Sequence, residues 1–325
     1  MSERLPLGDG FVVALAIATA TGAWIARDVP LAIGALGAAV GALRRNRFVF
    51  LAGLFLLASG LAAQAWQSVQ PLPERVVSGR ALLVSDPEPI TGGVRVWLEL
   101  EGRRFDAWAR SGSAGLLRSR AAGELVEVEG RTEPLPDGSE HLKRRHIAER
   151  LQVERVGRWW PGSFPTRAAN GLRRLLDSGA RSLAPSERAL YAGFVLGDDR
   201  GQDPEIADAF EASGLTHLLA VSGENVGFVV LLARPLLARL GLRTRVIVTI
   251  AILMFFAMLT RFEPSVVRAT AMAVVSVLAV SGGLPISGVR ILALAVIGVL
   301  LVDPMLVGVV GFQLSVLASL AIIVA

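Results

Sequence analysis

Gly214-Leu-Thr-His-Leu-Leu-Ala-Val-Ser-Gly-Glu-Asn-Val-Gly-Phe228 opens an apolar run that continues to Leu240 and is long enough to cross a bilayer. It nevertheless carries His217, Ser222, Glu224 and Asn225. Ionisable groups at membrane depth are costly, so they face a protein interior or a water-filled path. Glycines 214, 223 and 227 would let such a helix break or pack closely. His217, Glu224 and Asn225 fall near one helical face. The plain alternative is a hydrogen-bonded cluster that pins two helices.

Working outward, the rest of the chain has the same character. Of 325 residues, 53% are hydrophobic and 19% charged, and the mean hydropathy is +0.54. A soluble domain carries about 25% charge, so this is the composition of an integral membrane protein. There is no cysteine, which excludes disulfides, thiolate metal sites and cysteine nucleophiles. The net charge of +5 is mostly arginine gathered at segment ends, where it reports topology first and a polyanionic partner second.

Three apolar spans begin the chain: Phe11–Ile25, Val29–Leu43 and Phe48–Trp66. Ala18-Thr19-Ala20 resembles a signal cleavage site, but the residues before it lack a basic cluster and the apolar run continues. The second span reaches only about 23 Å, short of the roughly 30 Å hydrocarbon layer. Arg44, Arg45 and Arg47 between the second and third spans place that end inside. Five further spans are expected at Leu215–Leu240, Val246–Leu259, Ser265–Val280, Ile291–Val302 and Leu306–Ala325. Arg239, Arg243, Arg245 and Arg290 fall inside, while Arg261, Glu263 and Asp303 fall outside, giving eight crossings. The chain stops in apolar sequence and reads as a piece of a longer protein.

Between the two membrane blocks the composition turns polar after Pro71-Leu-Pro73. Val76–Val84, Val94–Leu100, the stretch holding Phe105, Ala107 and Ala109, Leu125–Val128 and Ile147–Val156 read as five short strands. Five strands in about 85 residues suit an OB-like barrel, a sandwich or an open meander. Trp159 and Trp160 suggest a return to the interface. Arg167–Leu183 reads as an interfacial amphipathic helix, with Leu172, Leu175, Leu176 and Leu183 set against Arg167, Arg173, Arg174 and Arg181. Helices are also expected at Ser186–Leu196 and from Pro204. The resulting division is 1–69 (three spans), 70–158 (OB-like β domain), 159–213 (interfacial helices) and 214–325 (a membrane domain). The fold class is a polytopic α-helical membrane protein with an inserted small all-β, OB-like extramembrane domain.

Trp97 and Trp108 lie on the polar faces of adjacent strands beside Arg95 and Arg110. A turn at Gly102-Arg103 sets Trp97 against Trp108; a turn one residue earlier sets Arg95 against Trp108. Either register makes an aromatic–cationic surface of the kind that stacks single-stranded bases, or one that packs on another domain. Lys143, Arg144 and Arg145 add a basic cluster, flanked by His141 and His146, which on a loop are solvated rather than metal-bound. Arg268 sits one turn inside its span and would either snorkel or serve a path; Gln313 and Ser315 put polar groups into another span. No phosphate-binding loop ending in Gly-Lys-Ser/Thr, no Gly-x-Ser-x-Gly elbow and no His-Glu-x-x-His pattern occurs. Neither a metal nor a cofactor is expected.

Gly214–Phe228 with His217 and Ser222-Gly223, Pro264–Met272 with Arg268, and Gly311–Ser315 resemble the membrane-domain motifs of the ComEC family of competence DNA-uptake channels. The short opening spans and the OB-like domain match that family's architecture. The resemblance implies an inner-membrane channel, not an enzyme, passing one DNA strand during natural transformation. Its β domain would lie on the periplasmic or extracellular side. Implied partners are single-stranded DNA, membrane lipid, an outer DNA receptor, a competence pilus and a cytoplasmic helicase-like ATPase. Many members carry a second histidine where this chain has Asn225, and a metallo-β-lactamase-like nuclease domain that this sequence lacks. By this reading His217, Ser222, Gly223, Glu224, Asn225, Arg268, Gln313 and Ser315 line or brace the path. Arg95, Trp97, Trp108, Arg110, Lys143, Arg144 and Arg145 meet DNA. Glu224 would repel a polyanion, so pairing with Arg268 or His217 is expected. The rival class is a membrane-embedded hydrolase or transferase using His217, Ser222 and Glu224 on an envelope substrate.

Overall fold

The computed structural model describes residues 8–198, 200–213, 223–284 and 286–324. They form two units, one of residues 1–67, 226–253 and 264–325, the other of 68–225 and 254–263.

The first unit is helical. Apolar runs give α1 (Asp9–Ile25), α2 (Leu31–Leu43) and α3 (Arg47–Ser68). Later come α9 (Gly223–Leu237) from Val226 on, α10 (Leu242–Leu259) up to Leu253, α11 (Pro264–Ser281), α12 (Gly288–Val302) and α13 (Val310–Val324), the rest of α9 and α10 belonging to the second unit. Among the described residues, α3, α10 and α11 are long and apolar enough to cross a membrane. Leu15 of α1, Leu54 of α3 and Ile297 of α12 share one buried cluster. Leu292, Val296, Leu300 and Phe312 form another, on which Val267 and Ala271 of α11 pack.

Small residues let α2 and α3 touch at the backbone. A Cβ on Gly41 would lie 2.3 Å from the Phe50 amide nitrogen, and one on Gly53 would lie 2.1 Å from that of Ala38. No larger residue fits either position without moving a helix. Polar contacts mark the two ends of the unit. At one end Arg290 donates to Asp9 at 2.6 and 2.9 Å, and Arg47 lies 5.4 Å from the Phe11 ring. At the other, Gln67 donates to Asp28 at 3.2 Å.

The second unit is built on a six-stranded sheet: β1 (Val76–Leu83), β2 (Glu88–Ile90), β3 (Gly93–Leu100), β4 (Arg103–Arg110), β5 (Leu125–Glu133) and β6 (Ile147–Trp160). The order is β1-β5-β6-β4-β3-β2, and β1 also pairs with β3 through Leu82–Glu99 and Leu83–Leu98. All pairings are antiparallel except β4 with β6. That parallel step needs a crossover, and the chain makes it through α4 (Ser111–Arg118), β5 and the single turn α5 (Glu140–Lys143). Alternation places Val94, Val96, Leu98, Phe105, Ala107, Val126, Val128 and Leu151 inside, where Ala114 and Leu117 of α4 join them.

Several expectations need adjustment. The five anticipated strands become six, because Glu88-Pro-Ile90 pairs with β3 as an edge strand, where proline is tolerated. Trp159 and Trp160 lie within β6, paired with Val126 and Leu125, so the sheet runs two residues past the expected domain end at 158. Arg120 and Arg80 each stand 4.3 Å from those rings. The 167–183 stretch forms α6 (Phe164–Gly179) and a short 3-10 turn. Its faces differ from the amphipathic reading: Arg173 is buried at 8% exposure while Leu175 is 66% exposed. Helices α7 (Pro185–Leu196) and α8 (Pro204–Ala212) follow as expected. Proline sits in the first turn of each, where its missing N–H costs nothing.

Candidate functional site

The β3–β4 hairpin carries the aromatic–cationic face. Its turn is Glu101-Gly102, both at positive φ (52° and 75°), as a two-residue type I′ turn requires. This selects the earlier of the two possible turns, so Arg95 stands opposite Trp108 and Trp97 opposite Asp106. Parallel pairing sets Arg150 of β6 beside Asp106 on the same face.

Asp106, which sequence reading passed over, organises this surface. It is fully buried, accepts from Arg95 Nε at 2.6 Å and from Trp108 Nε1 at 2.9 Å, and lies 3.9 Å from Arg150 Nε. Trp108 is thereby held between two guanidinium groups, Arg95 at 5.7 Å and Arg150 at 4.7 Å from its ring centre. Arg145 stands 5.4 Å from the Trp97 ring. Both indoles already carry arginines, so an incoming base would meet a guanidinium plane as well as a ring, and either stacks. Arg110 is exposed at the strand end, and Lys143 and Arg144 flank the α5 turn that leads to Arg145.

A second cluster joins distant parts of the same unit. Asp86, in the β1–β2 loop, accepts from Arg261 at 2.7 and 3.0 Å and from the Ala122 amide at 2.8 Å. Arg173 reaches Asp86 at 3.4 Å and Asp198 at 3.1 Å, and it donates to the carbonyls of Leu196 and Leu259. Arg200 pairs with Asp198 and donates to the Pro87 carbonyl at 2.8 Å. Three guanidiniums against two carboxylates explain why Arg173 turns inward rather than to an interface. Burial works to raise the Asp86 carboxyl, but Arg261 and Arg173 outweigh it and hold its pKa below 3.8. Asp198 behaves likewise, burial being overcome by Arg200 and Arg173.

In the helical unit, Arg268 of α11 is buried at 8% exposure. Its Nε donates to Ser315 at 2.6 Å, and its Nη1 reaches both Ser319 and Met272. Among the described residues no carboxylate pairs with it. Two hydroxyl dipoles and a thioether thus hold a desolvated cation, a costly arrangement without an anion. Close by in sequence, the Thr270 hydroxyl is buried without a hydrogen-bond partner. Arg268 and Ser315 are brought together, with no Glu224 in the contact, whereas Gln313 donates to the Val307 carbonyl beside the Pro304–Gly308 turn. Gly223 begins α9, Glu224 is exposed, and the Asn225 amide donates to the Phe194 carbonyl at 2.7 Å. His217 and Ser222 lie outside the described residues.

A multi-helix unit whose buried Arg268 has no carboxylate partner among the described residues, and a β unit with an arginine-rich face, make a helix-rich protein with three helices long and apolar enough to cross a membrane. Residues 194–325 match the family described as Competence protein. The chain is also 28% identical over 191 residues to ComE operon protein 3 of Bacillus subtilis (strain 168), covering 58% of this chain and 24% of that protein. By these matches the chain is similar to competence proteins, the family its motifs resemble. The chain spans about a quarter of the length of that relative. No solved structure matches it.

Proposed function

We propose that the chain is the DNA-receiving and membrane-embedded part of a conduit that passes single-stranded DNA across the bacterial cytoplasmic membrane during natural transformation. The β unit lies on the outer face. Its strands pair in the ring β1-β5-β6-β4-β3-β1 with one parallel step, which supports an OB-type barrel. In such barrels the second and third strands and the loop between the fourth and fifth bind oligonucleotides. Here those parts are β3, β4 and the β5–β6 loop, and Arg145 of that loop over Trp97 of β3 joins them. That contact carries the reading.

In the helical unit, Arg268 gives a phosphate a cation that has no carboxylate of its own, steadied by Ser315 and Ser319. Glu224, exposed, does not enter that contact. An outer receptor and a competence pilus would deliver DNA, and a helicase-like ATPase would draw it inward, since no nucleotide-binding loop is visible in the chain.

The test is fluorescence anisotropy of a labelled thymidine oligonucleotide with the detergent-solubilised chain over a salt series. Affinity that falls with salt and drops in Trp97→Ala/Trp108→Ala supports the reading. Binding that is absent at low salt, or unchanged in the double variant, removes the β unit from DNA handling.

A further inference from the structure

A cavity of about 710 Å³ lies between α9, α10 and α11, in the helical unit and outside the groups discussed so far. Gly227 and Leu231 of α9 line one part of it; Arg234, Arg245, Thr249 and Ser281 line the other. Its wall is mostly apolar, but its polar part gathers where α9 ends, α10 begins and α11 ends. Both arginines are exposed, and among the described residues neither guanidinium has a carboxylate or other acceptor. From Gly227 to Ala238 the α9 wall runs about 16 Å along the helix axis at 1.5 Å per residue.

An apolar slot of this length with two unpaired cations toward one end, and the hydroxyls of Thr249, Ser276 and Ser281 on its wall, is complementary to one kind of molecule. We propose that it holds an anionic phospholipid, with the phosphate between Arg234 and Arg245 and acyl chains along Gly227 and Leu231. A free phosphate would leave the apolar wall bare, and a neutral zwitterionic lipid would put a choline against the arginines. Basic pockets between membrane helices commonly take such headgroups. The polar end is the arginine-rich end of the bundle, where Asp9 and Arg290 also meet. Occupancy would brace α9 against α10 and α11, next in the chain to Glu224 and Asn225. The proposal rests on the membrane placement given above.

Thermal unfolding of the detergent-solubilised chain is followed while dioleoylphosphatidylglycerol, dioleoylphosphatidylcholine, glycerol 3-phosphate or inorganic phosphate is added. Saturable stabilisation by the phosphatidylglycerol alone is expected, with half-effect about 30-fold weaker in Arg234→Gln/Arg245→Gln. Leu231→Trp, which fills the slot and keeps both charges, should abolish the effect as well and guards against a misfolded double variant. Equal stabilisation by phosphatidylcholine, or an effect unchanged in both variants, overturns the site. Equal stabilisation by the soluble phosphates assigns the arginines to free anions and overturns the lipid. A thymidine oligonucleotide that stabilises through the same arginines gives them to DNA and likewise overturns it. A chain that remains monodisperse without detergent removes the membrane reading itself, a result separate from detergent dependence with no lipid preference.

Discussion

Asp86 and Arg261 stand 175 positions apart in the chain, yet their side chains meet in a two-pronged ion pair at 2.7 and 3.0 Å. The pair ties the β1–β2 loop to the turn between α10 and α11. Both side chains are largely withdrawn from water, at 11% and 17% exposure. Removing one partner leaves the other charge stranded, which costs about 3–5 kcal/mol. Asp86→Asn and Arg261→Gln should each lower the unfolding midpoint of the solubilised chain by several degrees. Asp86→Asn/Arg261→Gln together should cost less than the two losses added.

The same pair sets a pH dependence. Asp86 and Asp198 both have folded pKa values held below 3.8, the unfolded reference. A depressed carboxylate contributes stability that is fully present above its unfolded pKa and is lost as pH falls through the folded value. Stability from this cluster should therefore be flat from neutral pH to about 5 and fall below about 4. Unfolding midpoints measured down that range should show the acid loss in the native chain and a shallower one in Asp86→Asn.

On the β3–β4 face, Trp108→Ala should weaken single-strand binding by about 1–3 kcal/mol, the worth of one stacked base. Arg145→Ala should instead reduce the slope of log affinity against log salt by about 0.7, one phosphate contact on a single strand. Anisotropy titrations at several salt concentrations separate the two. Asp106→Asn should loosen Arg95 and Arg150 and cost stability first, since its amide replaces a buried charge that holds both.

For Arg268, Ser315→Ala/Ser319→Ala should destabilise the helical unit, each lost hydrogen bond to a charge being worth about 1.5–3 kcal/mol. Arg268→Met removes the desolvated cation and should leave the fold intact or firmer, while transformation frequency falls sharply. A full transformation frequency in Arg268→Met would take this residue off the DNA path.

Much of this architecture is legible in the sequence. Alternation in Val94–Leu100 and in Phe105, Ala107 and Ala109 found the hairpin and its inner face, and both candidate registers were readable around Gly102. The choice between them hung on one residue, because Glu101 adopts φ 52°, a conformation its side chain does not advertise. Asp106 escaped notice because a lone aspartate on a strand looks solvated; its burial depends on Arg150, which arrives through a parallel pairing that no local pattern reveals. Arg173 failed for a related reason. A helical wheel groups it with Arg167 and Arg174, and only the folded chain brings Asp86 and Asp198 to it. The polar residues of α11 and α13 were found by their oddity in apolar runs, and Arg268 with Ser315 proved to be partners.

The glycine contacts of the opening helices set a limit on where anything large can travel. Gly41 and Gly53 bring α2 and α3 together so closely that even a methyl group is excluded from either spot. A nucleotide, several times wider, has no lane through that pair. The hairpin is a wall, and Gly53→Leu should pry it apart, seen as earlier unfolding and a broader elution profile in detergent.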